Sequence, residues 1–298
     1  NSLVRNAHQN TDRENFDVEV ESAVNSYYTR LISGRESSEY SIEQLAPLYN
    51  KFQQDNDCRA EVVSAVTDQL DESLTSLEAA RSKAAELGIP FSDPIAEGPV
   101  IQEADLRSLE NGTTTDKVFD LTKKLREKVD IPLVYMTYLN VLFKYGYDRF
   151  LQNAKESGVS GVIVPDLPFE EKNELQSVAD KYDIDVISLV APTSEDRIKM
   201  IAGDAKGFIY TVSSMGVTGM RSEITTDLGS IVSHIKSVTD TPVAIGFGIN
   251  TPEQAKKYSA FADGVIVGSA IVNLVAEHGK DAPKYVYDYV KSMKDAIK

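Results

Sequence analysis

The chain has 298 residues, 42% of them apolar and 26% charged, enough for one large α/β domain or two small ones. With 46 Asp and Glu against 31 Lys and Arg, the formal net charge is −15, which argues against nucleic acid and anionic membrane surfaces as partners. A single cysteine, Cys58, excludes an internal disulfide, and His8, His234 and His278 have no metal-ligand spacing. No apolar run approaches the ~20 residues of a membrane span. The first residues are polar and lack a signal-peptide core, so a cytoplasmic protein is expected.

Residues 1–83 are polar and helical in pattern. "VEVESAVNSYYTRLI" places Val18, Val20, Val24, Tyr27, Tyr28 and Leu31 at mixed helical spacing, and "SIEQLAPLYNKF" places Ser41 before an acidic first turn as an N-cap. "SLTSLEAARSKAA" is a strong helix former. Only "EVVSAV" (61–66) has the composition of a strand in this region.

From Ala84 the pattern changes. Short apolar runs at 85–89, 132–137, 161–164, 185–190, 207–212, 242–246 and 264–268 alternate with amphipathic segments such as "TDKVFDLTKKLREKV", "YDRFLQNAKESG" and "FEEKNELQSVADKY". Strands separated by crossover helices form a parallel sheet, and continuous β-branched runs suit strands covered on both faces. With "EVVSAV" the count reaches eight, which closes a (β/α)8 TIM barrel; an open doubly wound sheet is the alternative. No G-x-G-x-x-G follows the first strand, which disfavours a dinucleotide fold. The predicted organisation is a helical or disordered extension over 1–40 and a barrel over 41–298, with 41–83 atypical and the first strand weak or missing.

Several strand ends carry chemistry. "AIGFGINTPEQ" and "GVIVGSAIV" each end a strand in glycines and lead into a helix. Such turns let backbone N–H groups approach an anion at a helix N-terminus, the usual phosphate position of barrels. The same glycines would also serve a tight turn with no ligand. "GFIYTVSSMGVTG" ends a strand in a loop of glycines and hydroxyls suited to a lid, or to an ordinary surface loop. Glu86, between apolar neighbours inside a strand, reads as a buried carboxyl whose pKa is raised for acid/base work, or as a salt-bridged structural Glu. Glu97 follows on the next loop, and two carboxylates near one strand end can take opposite proton-transfer roles. Asp166 in "VPDLP" ends the fourth predicted strand of the barrel, where it could act in a site or cap a helix. Tyr138, Tyr210, Phe247 and Ile101 could line a flat apolar pocket or pack the core.

"ELGIPFSDPIAEGPVIQ", "MTYLNVLFKYG", "VIVPDLPFEE", "FIYTVSSMGVTG", "VAIGFGI" and "DGVIVGSAIV" together resemble the tryptophan synthase alpha chain family, in order and spacing, from about Ala84 to the C-terminus. "PIAEGP" and "LVAPT" look like archaeal members. The resemblance implies a TIM barrel that cleaves indole-3-glycerol phosphate to indole and glyceraldehyde 3-phosphate by retro-aldol chemistry. It implies no cofactor in this chain, pyridoxal phosphate only in a partner β chain, and an α2β2 assembly. Carried over by position, Glu86 is the catalytic Glu and Glu97 stands where most members have a catalytic Asp. Tyr210 is the active-site Tyr. Gly219, Gly248, Gly268 and Ser269 bind phosphate, while Ile101, Tyr138 and Phe247 line the indole pocket. Thr218 is the lid Thr and Asp166 its partner. The family's Gly-Asp-Pro after strand one is absent, and "TDQLDES" stands there. That departure keeps open a barrel that binds a phosphorylated ligand, or a partner protein, without catalysis. A different phosphate-handling barrel enzyme is a third reading, disfavoured by the Glu86 and Glu97 pair.

Overall fold

In the computed structural model the described residues are 84–213, 219 and 227–297. The expectations for 1–83, including the extension and the candidate strand at 61–66, fall outside them, as does Thr218. Seven strands are present among the described residues: β1 (Ala85–Gly88), β2 (Leu133–Met136), β3 (Gly161–Ile163), β4 (Asp185–Val190), β5 (Ile209–Val212), β6 (Val243–Gly246) and β7 (Gly264–Val265). They pair in chain order, every neighbour parallel. Each crossover is helical: α1 (Pro99–Glu110) and α2 (Thr115–Arg126), α3 (Leu139–Tyr145) and α4 (Tyr147–Glu156), α5 (Lys172–Ala179), α6 (Glu195–Gly203), α7 (Leu228–Lys236) and α8 (Pro252–Ser259). After β7 come α9 (Ser269–His278) and α10 (Ala282–Ala296).

Local chemistry explains the helices. Thr114 caps α2 by accepting the Lys117 N–H, Asp116 sits in its first turn, and Lys123, Lys124 and Arg126 occupy its last, each favourable to the helix dipole. Val118, Phe119, Thr122 and Leu125 form its buried stripe. Thr251 and Gln254 make a reciprocal capping box on α8, with Pro252 at its start. The segment "FEEKNELQSVADKY" departs from one continuous helix. It runs as a 3-10 turn (Phe169–Glu171), α5, and a second 3-10 turn (Asp180–Tyr182), ended by Asp183 in the left-handed region at φ 53°.

The core has two outer clusters and one inner cluster. Leu133, Tyr135, Val162 and Val186 point outward into helices α2 and α4 through Phe119, Leu125, Phe150 and Leu151. Ile209, Val243 and Ile245 do the same in the second half of the sheet. On the opposite face Val134, Ile163, Ile187, Tyr210, Val212 and Phe247 pack together. These inward residues come from β2 through β6, so the sheet is curled around them as a TIM barrel is. The α1 and α9 helices, which follow the first and last described strands, also touch each other.

Candidate active site

The acidic side of the site is built at the end of β1. The strand alternates, with Ala85 and Leu87 buried toward the helices and Glu86 and Gly88 on the other face. Glu86 is level with Val134 in the ladder and therefore faces the inside of the curl. The sequence reading of Glu86 as a buried residue needs correction. Its side chain is exposed rather than buried. The surrounding protein still restricts hydration of the carboxyl, and this, with the Glu97 charge as the smaller cause, pushes Glu86 up to about 7.

Glu97 is 6% exposed on the loop that leaves β1. The Tyr138 hydroxyl donates to Glu97 Oε1 at 3.1 Å and accepts the Ala96 N–H at 3.0 Å. Burial and then the Glu97 charge raise the Tyr138 pKa, which keeps that hydroxyl protonated as a donor. The ring of Phe91 stacks on Tyr138 with centroids 5.2 Å apart. Gln102 Nε2 donates to the Glu97 carbonyl at 2.7 Å, tying the loop to α1.

Tyr210 comes from β5, across the curl. Its pKa is pushed far above the ordinary value by burial, then by Glu86 and then by Glu97, so both carboxyls lie within electrostatic reach of one phenol. Glu86 and Tyr210 face the same interior, and Glu97 is buried on the loop that leaves β1. The Tyr210 ring lies over Gly246, where a Cβ would overlap the hydroxyl, and it meets the Phe247 ring edge-on at 6.0 Å. That requirement for glycine was not read from the sequence, although Gly246 was seen as part of a Gly-Phe-Gly strand end.

The glycine-rich ends lie next to each other, since β6 and β7 are neighbouring parallel strands and both turns leave by their C-terminal ends. Phe247 (φ 67°) and Gly248 (φ 97°) turn the chain sharply there. A non-glycine residue held at positive φ costs on the order of 1–3 kcal/mol, and such strain clusters at functional sites. Two restraints hold it: the buried Ser213 hydroxyl donates to the Phe247 carbonyl, and the Ser213 N–H donates to the Gly246 carbonyl at 3.1 Å. Gly268 precedes α9, and its carbonyl accepts from Ile271 and Val272 to start that helix. Ser269 is the first helical residue and is buried. The leading N–H groups of a helix have no partner within it and point toward an anion. Gly219 has φ 149° and is half-buried.

Two other candidates take specific places. Ile101 is half-buried in the first turn of α1. Asp166 does cap a helix, though not the one that follows it: its Oδ1 accepts the Leu139 N–H at 2.8 Å, at the start of α3. Asp105 on α1 was not singled out from sequence; burial first and the Glu97 charge second push its carboxyl up to about 7. Its signal was available, because Ile101 and Asp105 are four apart and share a helix face.

The family model for the tryptophan synthase alpha chain matches residues 62–298. The chain belongs to the tryptophan synthase alpha chain family. The matched span begins upstream of Ala84 and takes in much of the atypical segment. The tryptophan synthase alpha chain of Lacticaseibacillus casei is 51% identical over 212 residues, covering 71% of this chain and 80% of that relative. That of Caldanaerobacter subterraneus subsp. tengcongensis is 48% identical over 224 residues, covering 74% and 86%. Among solved structures, the alpha chain of Legionella pneumophila superposes with a TM-score of 0.69 at 36% identity, covering 77% of this chain and 86% of that one. A tryptophan synthase a2b2 complex from Pyrococcus furiosus gives 0.70 at 34% identity, covering 77% and 92%. Membership makes the chain an alpha-type lyase of tryptophan biosynthesis with a TIM-barrel fold. No helix among the described residues is long and apolar enough to cross a membrane.

Proposed function

We propose that the chain cleaves indole-3-glycerol phosphate with Glu86 as the proton donor and acceptor, Glu97 as the charge that stabilises the indole nitrogen, and Tyr210 as a neutral hydroxyl beside both. Glu86 in its acid form gives a proton to indole C3, leaving positive charge at the ring N–H. The Glu97 carboxylate accepts that N–H as the charge develops. The Glu86 carboxylate then takes the proton of the side-chain hydroxyl on the carbon attached to C3. That carbon becomes the aldehyde of glyceraldehyde 3-phosphate, the C3–C bond breaks, and its electron pair restores neutral indole. Glu86 ends the cycle protonated. A carboxyl near 7 suits both directions of transfer, and each transfer contributes roughly 10²–10⁴-fold.

The phosphate would sit on the backbone of Gly219, Gly248, Gly268 and Ser269, and the indole on Tyr138, Phe247 and Ile101. Thr218 would close over the substrate with Asp166 nearby. The groups that carry the chemistry are side chains of this chain, and pyridoxal phosphate would belong only to a β-chain partner. An α2β2 pairing is supported by the description of the Pyrococcus furiosus relative. The exposed Asp93, Ile95, Asn140 and Phe143, on the segments that follow β1 and β2, would meet that partner. The work would be done in the cytoplasm.

The observation that supports this reading is that Glu86 and Tyr210 both face the inside of the curl, with the buried Glu97 on the loop that leaves β1. Its test is indole release from indole-3-glycerol phosphate by the purified full chain, alone and with a matched β chain. Release that rises when the β chain is added is expected. No release in either condition overturns the reading.

A further inference from the structure

Ser213 directly follows β5, is fully buried, and has no part in the chemistry above. It holds two consecutive carbonyls at the end of β6: its N–H donates to that of Gly246 at 3.1 Å, and its hydroxyl to that of Phe247. In an extended strand consecutive carbonyls point to opposite sides, so a residue of one neighbouring strand ordinarily meets only one of them. The turn at Phe247, with φ 67°, brings the second carbonyl to Ser213 as well. The Phe247–Gly248 peptide is planar and trans, so its N–H points the opposite way from its carbonyl. With the carbonyl fixed on Ser213, the Gly248 N–H is aimed away from Ser213. Among the described residues that N–H has no acceptor. β6 lies between β5, which leads into Ser213, and β7, which leads to the start of α9. The next peptide is held separately. Asn250 Nδ2 donates to the Gly248 carbonyl at 2.8 Å, and the Asn250 carbonyl accepts from the Tyr289 hydroxyl of α10 at 2.9 Å.

We propose that Ser213 is a positioning residue for phosphate binding: its hydroxyl fixes the plane of the Phe247–Gly248 peptide so that the Gly248 N–H faces the phosphate of the substrate. The inference rests on the reading that the Gly248 backbone binds phosphate. Ser213 itself touches no substrate in this account. A donor aimed before the anion arrives needs no ordering on binding, whereas a peptide left free to rotate must be ordered at the expense of affinity. The hydrogen bonds of Glu97 to Tyr138 share none of these contacts. The Phe247 ring, by contrast, meets Tyr210 edge-on, so general damage to the turn reaches the apolar pocket too. That difference separates the aiming of one N–H from packing alone.

The test is equilibrium binding of two probes to the full chain: glycerol 3-phosphate for the phosphate position and indole for the apolar pocket. The proteins are the parent, Ser213→Ala, Ser213→Thr, Ser213→Val, Gly248→Ala and the Ser213→Ala/Gly248→Ala pair. Ser213→Ala should weaken glycerol 3-phosphate roughly 10-fold and leave indole within about twofold of the parent. Thr and Val have the same shape and only Thr keeps the hydroxyl, so Ser213→Thr should bind glycerol 3-phosphate several-fold tighter than Ser213→Val. On the Gly248→Ala background, Ser213→Ala should add less than about twofold, since residues acting through one group are not additive. If Ser213→Ala does not fold, as judged by its thermal transition, the difference between Thr and Val carries the test on both backgrounds. Parental binding of glycerol 3-phosphate by Ser213→Ala, equal binding by Thr and Val, equal losses for both probes, or losses that multiply with Gly248→Ala each overturn the proposal. A parent that does not bind glycerol 3-phosphate, or a Gly248→Ala variant that binds it as the parent does, overturns the phosphate reading of this turn and the inference with it. Weakened binding by Gly248→Ala beside parental binding by Ser213→Ala overturns the positioning role alone.

Discussion

The two sides of the barrel mouth are built on different principles. In the proposed reaction the working groups around β1 and β2 are side chains: the Tyr138 hydroxyl aims Glu97, and the Ala96 backbone N–H and the Phe91 ring aim Tyr138. Around β6 and β7 the groups proposed to hold the phosphate are backbone groups, set by dihedral angles: Phe247 at φ 67°, Gly248 at φ 97°, and the start of α9 after Gly268. A side-chain apparatus can respond to the charge that develops during a reaction. A backbone cradle holds an anion equally well before and after. The first should govern turnover and the second affinity, which makes the two sides separable by kinetics.

The largest effect is expected at Glu86. Glu86→Gln removes donor and acceptor together, and kcat should fall by at least ~10³-fold with KM little changed. Glu97 comes next. Glu97→Gln keeps the shape but removes the balancing charge, and roughly 10–100-fold should be lost from kcat. Glu97→Asp keeps the charge but draws it back from the Tyr138 hydroxyl, which meets Oε1 at 3.1 Å. It should lose about 10-fold, less than the Gln variant and still well below the parent, because the loop is built for the longer side chain. Equal activity of Glu97→Gln and parent would remove Glu97 from the chemistry.

On the other side, Gly248→Ala puts a Cβ where φ is 97°. The turn must distort, and KM should rise by roughly 10-fold while kcat stays within about twofold. A kcat loss as large as that of Glu97→Gln would dissolve the distinction between the two sides. The smallest effect is on stability. Below its ordinary value of 4.5 the Glu86 carboxyl is neutral whether the chain is folded or not. As the pH rises from there through about 7, the unfolded chain gives up the proton more readily than the folded one, so folding loses stability across that window. Glu86→Gln should therefore melt a few degrees above the parent at pH 8 and together with it at pH 4.5. A thermal melt series across that range checks the sign.

Much of this architecture was legible in the sequence, since buried parallel strands are marked by short β-branched runs. The run 185–190 coincides with β4. The run beginning at 207 starts two residues late, at Ile209, because Gly207 sits at φ 66° and breaks the extended backbone. The last run, 264–268, shortens to Gly264–Val265, where pairing with β6 ends and the chain turns toward α9. Glu86 stood out in the sequence as a carboxyl inside an apolar strand and Glu97 as a second carboxyl on the loop after it, whereas Tyr210 was given a catalytic role only through the family resemblance. The exposure of Glu86 was not legible: apolar neighbours in sequence say only that they face the helices, and the alternation of the strand sends Glu86 to the opposite face. Gly246 beneath Tyr210 was hidden for a related reason: it depends on how separate strands lie against each other in register.

The central claim is that one carboxyl, Glu86, is held near neutrality so that it can give a proton and take one back. The pH dependence of kcat/KM tests this most directly, because it reports ionisations of the free enzyme. With Glu86 acting first as the acid, kcat/KM for indole release should fall on the alkaline side with a midpoint near 7, where the structure puts this group. A profile that is flat through that region, or that rises through it, would contradict the account.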